Sequence, residues 1–187
     1  IIQGGSNSST AIAPGLILAT DAGFFTRIAH NSITGGSGTT LGAPGIQGTL
    51  GLNNVLIEAN AISSSSTGLF LAPTTTAGHP VAIRSNANTA GGPPATMATG
   101  VGLFGALPEN LAIDIRENVI NGGSQSILVG NLPASGTVTV QSNSFAPGGI
   151  TPGFPGTAIL SQAVGTIDAR FNWFNTADRE EIESLVS

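Results

Sequence analysis

Ile113 to Ile120 read IDIRENVI, and variants of that phrase return five more times along the chain. They are TRIAHNSI from Thr26, VLIEANAI from Val55, VAIRSNAN from Val81, VTVQSNSF from Val138 and IDARFNWF from Ile167. The asparagines within them are Asn31, Asn60, Asn86, Asn118, Asn143 and Asn172, spaced by 29, 26, 32, 25 and 29 residues. An apolar residue stands three positions before each asparagine, Ala169 being the weakest, and another stands five before, with Thr26 the exception. In most copies an apolar residue also follows two positions later. The first five residues of each phrase alternate in the period of a strand with one buried face. The inward pairs are Thr26/Ile28, Val55/Ile57, Val81/Ile83, Ile113/Ile115, Val138/Val140 and Ile167/Ala169. Most are β-branched, as a stacked strand prefers. Self-similarity at this period marks a solenoid in which each repeat contributes one turn.

The asparagine ends the strand. Asparagine tolerates left-handed backbone and bonds to nearby backbone groups, so it suits a corner. If every turn bends at the same place, the side-chain amides stack about 4.8 Å apart and bond to one another. That accounts for asparagine in particular, in a fixed register with the apolar pair.

A second apolar phrase follows each asparagine. Leu69-Phe70-Leu71 and Ile127-Leu128-Val129 begin nine residues after Asn60 and Asn118, while Val101–Phe104 and Ala158-Ile159-Leu160 begin fifteen after Asn86 and Asn143. The longer connections are rich in Gly and Pro, as at Gly91-Gly92-Pro93-Pro94 and Pro147-Gly148-Gly149, and read as insertions at one corner. A third short strand is expected near Leu50-Gly51-Leu52, Leu107-Pro108 and Leu132-Pro133. Ser6-Asn7-Ser8, followed by Gly15-Leu16-Ile17-Leu18, reads as a coil lacking its first strand, with Asn7 lying 24 residues before Asn31. The fold expected is therefore all-β: a right-handed parallel β-helix of about six to seven coils over residues 1–175, forming a column roughly 30 Å long. Residues 176–187 change character. Thr176 or Asp178 can cap a helix, acids crowd its first turn, and Ile182, Leu185 and Val186 fall on one face. This is expected to be a short helix covering the open end of the column.

Composition bounds the function. The 187 residues include 27 Gly and 11 Pro, yet 40% are apolar and the mean hydropathy is +0.29, which suits a folded chain with many turns. Only 8% are charged. The surface is therefore Ser, Thr, Asn, Gly and backbone, which points to an extracellular or cell-surface setting. There is no Lys; the five cations are Arg27, Arg84, Arg116, Arg170 and Arg179, against 10 acids. Such a chain has no basic footprint for nucleic acid or for membrane surfaces. It has no Cys, which excludes disulfides and thiolate metal sites. No run of 18 apolar residues forms a transmembrane segment. The chain opens at Ile1 without a basic n-region, and reads as a processed protein or an excised fragment.

The repeated I-x-I-x-x-N-x-[IF] phrase resembles the right-handed parallel β-helix superfamily of pectate lyases, polygalacturonases, phage tailspikes and secreted bacterial adhesins. The closing phrase Ile167–Asn175 (IDARFNWFN) is similar to the Asn-Asn-Trp-Trp-Gly phrase of β-helix regions in large bacterial surface proteins. Here Phe171, Phe174 and Asn175 replace the first Asn, the second Trp and the Gly. The resemblance implies a structural or adhesive role, with a polysaccharide-acting enzyme or a tailspike module as the alternatives.

Chemistry, if present, belongs on the outward positions of the main strand, where enzymes of the resembling superfamily place their sites. Arg27, Leu56, Ala82, Asp114, Thr139 and Asp168 form one outward column; Ala29, Glu58, Arg84, Arg116, Gln141 and Arg170 form the other. Asp114 and Asp168 share a column two coils apart, about 9.6 Å at the rung spacing. Inverting glycosidases hold their carboxylates roughly 6.5–9.5 Å apart, so Asp114 and Asp168 are the catalytic pair if the chain is an enzyme. Against this, each has an arginine two residues on, which keeps a carboxylate ionised and unsuited to general-acid work. Glu58 and Arg84, on adjacent coils, are expected to pair likewise. Neither His30 nor His79 has metal-ligand spacing, and no metal or other cofactor is expected. Phe25, Phe70, Phe104, Phe145 and Phe174 lie in apolar phrases and are expected inside. Phe154, between Gly153 and Pro155, is the aromatic placed to meet carbohydrate or a partner chain. The function expected is a non-catalytic structural or adhesive β-helix segment of an exported bacterial surface or filament protein. Its expected partners are further copies of itself, end to end or laterally, other surface proteins, or carbohydrate.

Overall fold

Alternating aliphatic strands are stable only where the next element covers their apolar face, and in this chain the cover comes from three parallel sheets closing around one core. The computed structural model describes residues 2–3, 14–19, 25–35, 44–50, 52, 54–64, 66–72, 80–90, 99–104, 112–121, 124–131, 136–146, 156–162 and 165–186. An incomplete first turn holds β1 (Ile2–Gln3) and β2 (Leu16–Ala19). Full turns of three strands follow: β3 (Thr26–Ala29), β4 (Ser32–Thr34) and β5 (Ile46–Leu50); then β6 (Val55–Glu58), β7 (Ala61–Ser64) and β8 (Thr67–Leu71). Next come β9 (Val81–Arg84), β10 (Ala87–Ala90) and β11 (Thr99–Leu103), then β12 (Ala112–Arg116), β13 (Val119–Asn121) and β14 (Gln125–Gly130). β15 (Thr137–Gln141), β16 (Ser144–Ala146) and β17 (Thr157–Gln162) complete the series, with β18 (Thr166–Asp168) and helix α1 (Arg179–Ser184) after them.

Each strand pairs in parallel with its counterpart in the next turn, giving three sheets of six strands. Sheet 1 is β3-β6-β9-β12-β15-β18, sheet 2 is β1-β4-β7-β10-β13-β16, and sheet 3 is β2-β5-β8-β11-β14-β17. The architecture is a parallel β-solenoid, as the period requires. Four of the six inward pairs are fully buried, Val55/Ile57, Val81/Ile83, Ile113/Ile115 and Val138/Val140; at the ends Ile28 is buried beside a half-buried Thr26, and Ile167 and Ala169 are partly buried. The four buried pairs join one core cluster with Ile33, Ile62, Ile120 and Phe145 of sheet 2 and Ile46, Leu69, Leu71, Val101, Leu103, Ile127 and Val129 of sheet 3.

The third strand lies elsewhere than expected. It starts directly after each asparagine, so the apolar residue two positions beyond the asparagine is the inward residue of sheet 2. Leu52 instead fills the core beyond β5; Leu107-Pro108 and Leu132-Pro133 lie outside the described residues. At the N-terminal end, Ile2 pairs with Ile33, an offset of 31 rather than the expected 24. Asn7 itself lies outside the described residues.

The corner also differs in its backbone. The left-handed residue is the one before each asparagine: His30, Ala59, Ser85, Glu117, Ser142 and Phe171, with φ from 51° to 63°. The neighbour makes the turn, and the asparagine is left free to fold its amide against the column. Asn60 shows the pattern. Its Nδ2 donates to Asn86 Oδ1 at 3.0 Å and to the Ile28 and Glu58 carbonyls at 2.9 Å. Its Oδ1 accepts from the backbone N–H and Nδ2 of Asn31 at 3.0 and 3.2 Å. Asn86, Asn118 and Asn143 continue this to Asn172. Asn60, Asn86, Asn118 and Asn143 are each 2% exposed.

A second column sits where sheet 2 turns into sheet 3. Gly15, Gly45, Gly68 and Gly100 stack in register, and each lies beneath the inward side chain of the following turn. A Cβ at Gly45 or Gly100 would stand 2.5 or 2.3 Å from Cγ2 of Ile62 or Ile120, and one at Gly68 would stand 2.0 Å from Asn88 Oδ1. Asn88 occupies the aliphatic column of sheet 2, buried, with Nδ2 donating to the Gly100 carbonyl at 2.7 Å.

The far end of the column is closed by the tail. Trp173 bridges to Ser144 through backbone bonds, and Phe174 packs on Phe145 with ring centroids 5.5 Å apart. Asp178 caps α1, its Oδ1 accepting from Glu180 N–H at 2.8 Å, and Glu180 and Glu181 lie in the first turn where the helix dipole favours acids. Leu185 enters the core, its carbonyl accepting from Ala158 and Ile159, and Ile182 packs partly against it. Val186 does not share that face: it continues β17 by a bridge to Ile159 and is 40% exposed.

Two substitutions test this account. Gly100→Ala places its Cβ 2.3 Å from Ile120 and 2.6 Å from the Ser126 carbonyl, and is expected to lower unfolding free energy by about 1–3 kcal/mol in urea titrations. Asn118→Ala strands the N–H and Nδ2 of Asn86 and the carbonyls of Ile83 and Arg116, and is expected to cost about 3 kcal/mol or more, since each buried unpaired group costs about 1–3 kcal/mol.

Candidate functional site

Every charged residue within a described strand lies on sheet 1. Register alignment produces the two outward columns as expected. Arg27, Leu56, Ala82, Asp114, Thr139 and Asp168 stand in successive register, and so do Ala29, Glu58, Arg84, Arg116 and Gln141. On a flat parallel sheet, such neighbours and their diagonals lie within side-chain reach.

The charges cancel locally. Arg27 pairs with Glu58. Arg84 and Arg116 both engage Asp114, Arg84 donating through Nε at 3.1 Å and Arg116 from two residues along the same strand. Arg170 holds Asp168 in a fork, Nε to Oδ1 at 2.8 Å and Nη2 to Oδ2 at 2.7 Å, and Gln141 Nε2 adds a bond to Oδ2 at 2.7 Å. The expected Glu58–Arg84 pair is therefore replaced. Although the two residues are directly in register, Arg84 turns one rung on to Asp114. Glu58 reaches back to Arg27, so that neither arginine is left without an acid.

The hydrogen bonds from Arg170 lower the Asp168 carboxyl to about 2, against a weaker upward push from desolvation; the same pair raises Arg170. Asp168 is thus ionised across the neutral range and has no proton to give. Asp114 and Asp168 share a column with Thr139 between them, but they do not converge: one turns to Arg84 and Arg116, the other to Arg170 and Gln141. Among the described residues no group of three His, Asp or Glu side chains could hold a metal ion. His30 is an exposed left-handed corner residue. His79 and Phe154 lie outside the described residues.

The aromatics divide. Phe145 and Phe174 are internal, as expected. Phe25 is 60% exposed instead of buried, because it precedes β3 and has no strand position to place it in the core. Phe70 and Phe104 are not core residues either. Phe70 takes the outward position between Leu69 and Leu71, and Phe104 stacks on it at 4.4 Å over the bare Gly102. The sequence reading missed an exposed pair, Phe171 and Trp173, on either side of Asn172. The Arg170 guanidinium lies 5.9 Å from the Phe171 ring centroid. Register could have found this pair. Phe171 occupies the left-handed corner column otherwise held by His, Ala, Ser and Glu, and Trp173 follows Ser144 on the outward column of sheet 2.

The chain matches no family model, no curated protein and no solved structure. Among the described residues no helix is long and apolar enough to cross a membrane.

The Asp168 shift fixes a pH dependence. Its folded value lies below the unfolded value of 3.8, so its contribution to stability is complete above about 3.8 and is lost as pH falls through about 2. The melting temperature of the native chain is expected to fall more steeply over that window than that of Asp168→Asn. A carboxyl NMR titration should place the Asp168 midpoint near 2; a midpoint near 3.8 would show that the fork does not hold in solution.

Proposed function

We propose that this chain is a non-catalytic structural or adhesive segment of an exported bacterial surface or filament protein, built on a β-helix of the pectate-lyase-like kind. The observation that carries the reading is the internal neutralisation of sheet 1. Asp114 and Asp168, the acids best placed for glycoside chemistry, are each held by arginine, and one is pinned far below the range of a general acid. The described strands of sheets 2 and 3 carry no charged residue. A scarcity of charge, the absence of cysteine and a hydrogen-bonded column suit a load-bearing or contact-making part outside the cell. The exposed Phe171 and Trp173, with Arg170 beside them, supply flat apolar surface of the sort that meets sugars or other chains.

The test is a panel of plant, bacterial and host polysaccharides incubated with the native chain and with Asp114→Asn. No turnover is expected from either. Turnover that Asp114→Asn reduces a hundredfold or more would overturn the reading in favour of an enzyme. Mass measurement by light scattering addresses the tailspike alternative, for which a stable trimer would be found.

A further inference from the structure

Phe171 is the corner residue that the fold explains least. It holds the left-handed region at φ 63°, where a bulky side chain is unusual, and the other ladder corners are made by His30, Ala59, Ser85, Glu117 and Ser142. The bend therefore has no need of an aromatic. Nor does the core, because the ring is 79% exposed. Two residues on, Trp173 is 52% exposed in the outward column of sheet 2, where the preceding turn has Ser144. A backbone outlier that serves neither the bend nor the packing points to a functional contact.

The two aromatics are carried on a fixed backbone. Asn172 between them donates to the Val140 and Ala169 carbonyls at 2.7 Å, and the Trp173 N–H donates to the Asn143 carbonyl at 2.8 Å. Residues two apart in extended chain share one side and lie at most about 7 Å apart. Polar groups border Phe171 toward sheet 1. The Arg170 guanidinium lies 5.9 Å from the ring centroid, within cation–π range, and forks onto Asp168 through Nε and Nη2. Gln141 Nε2 bonds the same carboxylate. These bonds orient Arg170 and Gln141 and use part of their capacity: Arg170 Nη1 is a further donor and Gln141 Oε1 a further acceptor.

We infer that Phe171 and Trp173 form a platform for a neutral polysaccharide of equatorially linked pyranose rings. The C–H faces of such rings stack on aromatic faces, and their hydroxyls exchange hydrogen bonds with Arg170 and Gln141. The ligand is neutral because Asp168 already takes the charge of Arg170, and the chain as a whole carries a net charge of −5. A protein is the poorer occupant. A stable protein interface covers about 800 Å² per partner around an apolar centre, whereas the turn preceding these two aromatics presents Ser142 and Ser144 in the same columns. The inference rests on the adhesive reading and names its ligand.

Trp173 is the only tryptophan, and the chain has no tyrosine, so intrinsic fluorescence reports this site alone. The full chain is titrated with cellohexaose, xylohexaose, mannohexaose and chitohexaose, and with an oligogalacturonate of equal length as the anionic comparison. A saturable blue shift is expected with at least one neutral oligosaccharide. Phe171→Ser should weaken that binding about tenfold with the melting temperature unchanged or raised, since Ser85 and Ser142 make the same corner. Trp173→Ser, followed by calorimetry, should weaken it similarly. No shift with any neutral oligosaccharide, a shift that Phe171→Ser leaves intact, or binding of the oligogalacturonate alone would overturn the platform and leave the non-catalytic reading standing. Self-association that Phe171→Ser abolishes would also overturn it, by making a second copy the occupant. Shortened oligosaccharides in mass spectra of the same mixtures would overturn the non-catalytic reading instead.

Discussion

A primary amide removed from water must find partners for two donors and an acceptor, and this fold is arranged around meeting that demand at four successive buried corners, Asn60, Asn86, Asn118 and Asn143. Asn60, Asn118 and Asn143 each tie their own corner, the strand behind and the corner ahead. The balance favours the arrangement. A non-glycine residue in the left-handed region costs about 1–2 kcal/mol, while each internal hydrogen bond contributes about 1 kcal/mol net and there are several per corner. Because the strain falls on the preceding residue, its identity is free: Ala59 and Glu117 serve as well as His30. What cannot vary is the amide, since aspartate would lose the donors and any apolar residue would strand groups in both neighbouring turns.

The same stacking organises charge. Residues in register lie one rung apart, so an arginine on one turn is always near the outward residue of the next. The acids of sheet 1 are met by arginine from the same or the preceding turn. On this face Glu58, Asp114 and Asp168 are each paired with arginine. The apolar side chains left exposed near the last corner, Phe171 and Trp173, stand out on such a surface.

Much of this was legible in the residues. The main strand, its inward pairs and the ladder followed from period-two alternation ending in asparagine, and these signals are local. The third strand was harder because it is short. In β13 and β16 a single inward residue flanked by two outward ones gives too few alternations to recognise, although Ile120 and Phe145 are wholly buried. The glycine column was equally hidden: Gly45 and Gly100 sit before apolar runs and look like ordinary turn residues until the next turn is laid over them. For the candidate site, the columns were readable but the partners were not, since Glu58 had arginines on both sides and only side-chain geometry decides between them. Phe70 and Phe104 were misplaced because hydrophobicity alone does not distinguish an inward position from an outward one beside a bare glycine.

Lateral hydrogen bonding between turns also determines how the molecule behaves when pulled. The interstrand bonds run along the column axis, so tension applied between its ends loads one turn at a time and peels instead of shearing. Successive ladder positions are 25 to 32 residues apart, and each released turn therefore frees on the order of 100 Å of extended chain. The column is in this sense a spool. It yields length in near-equal increments under load, and the next ladder amide sets the threshold at which each increment is let go.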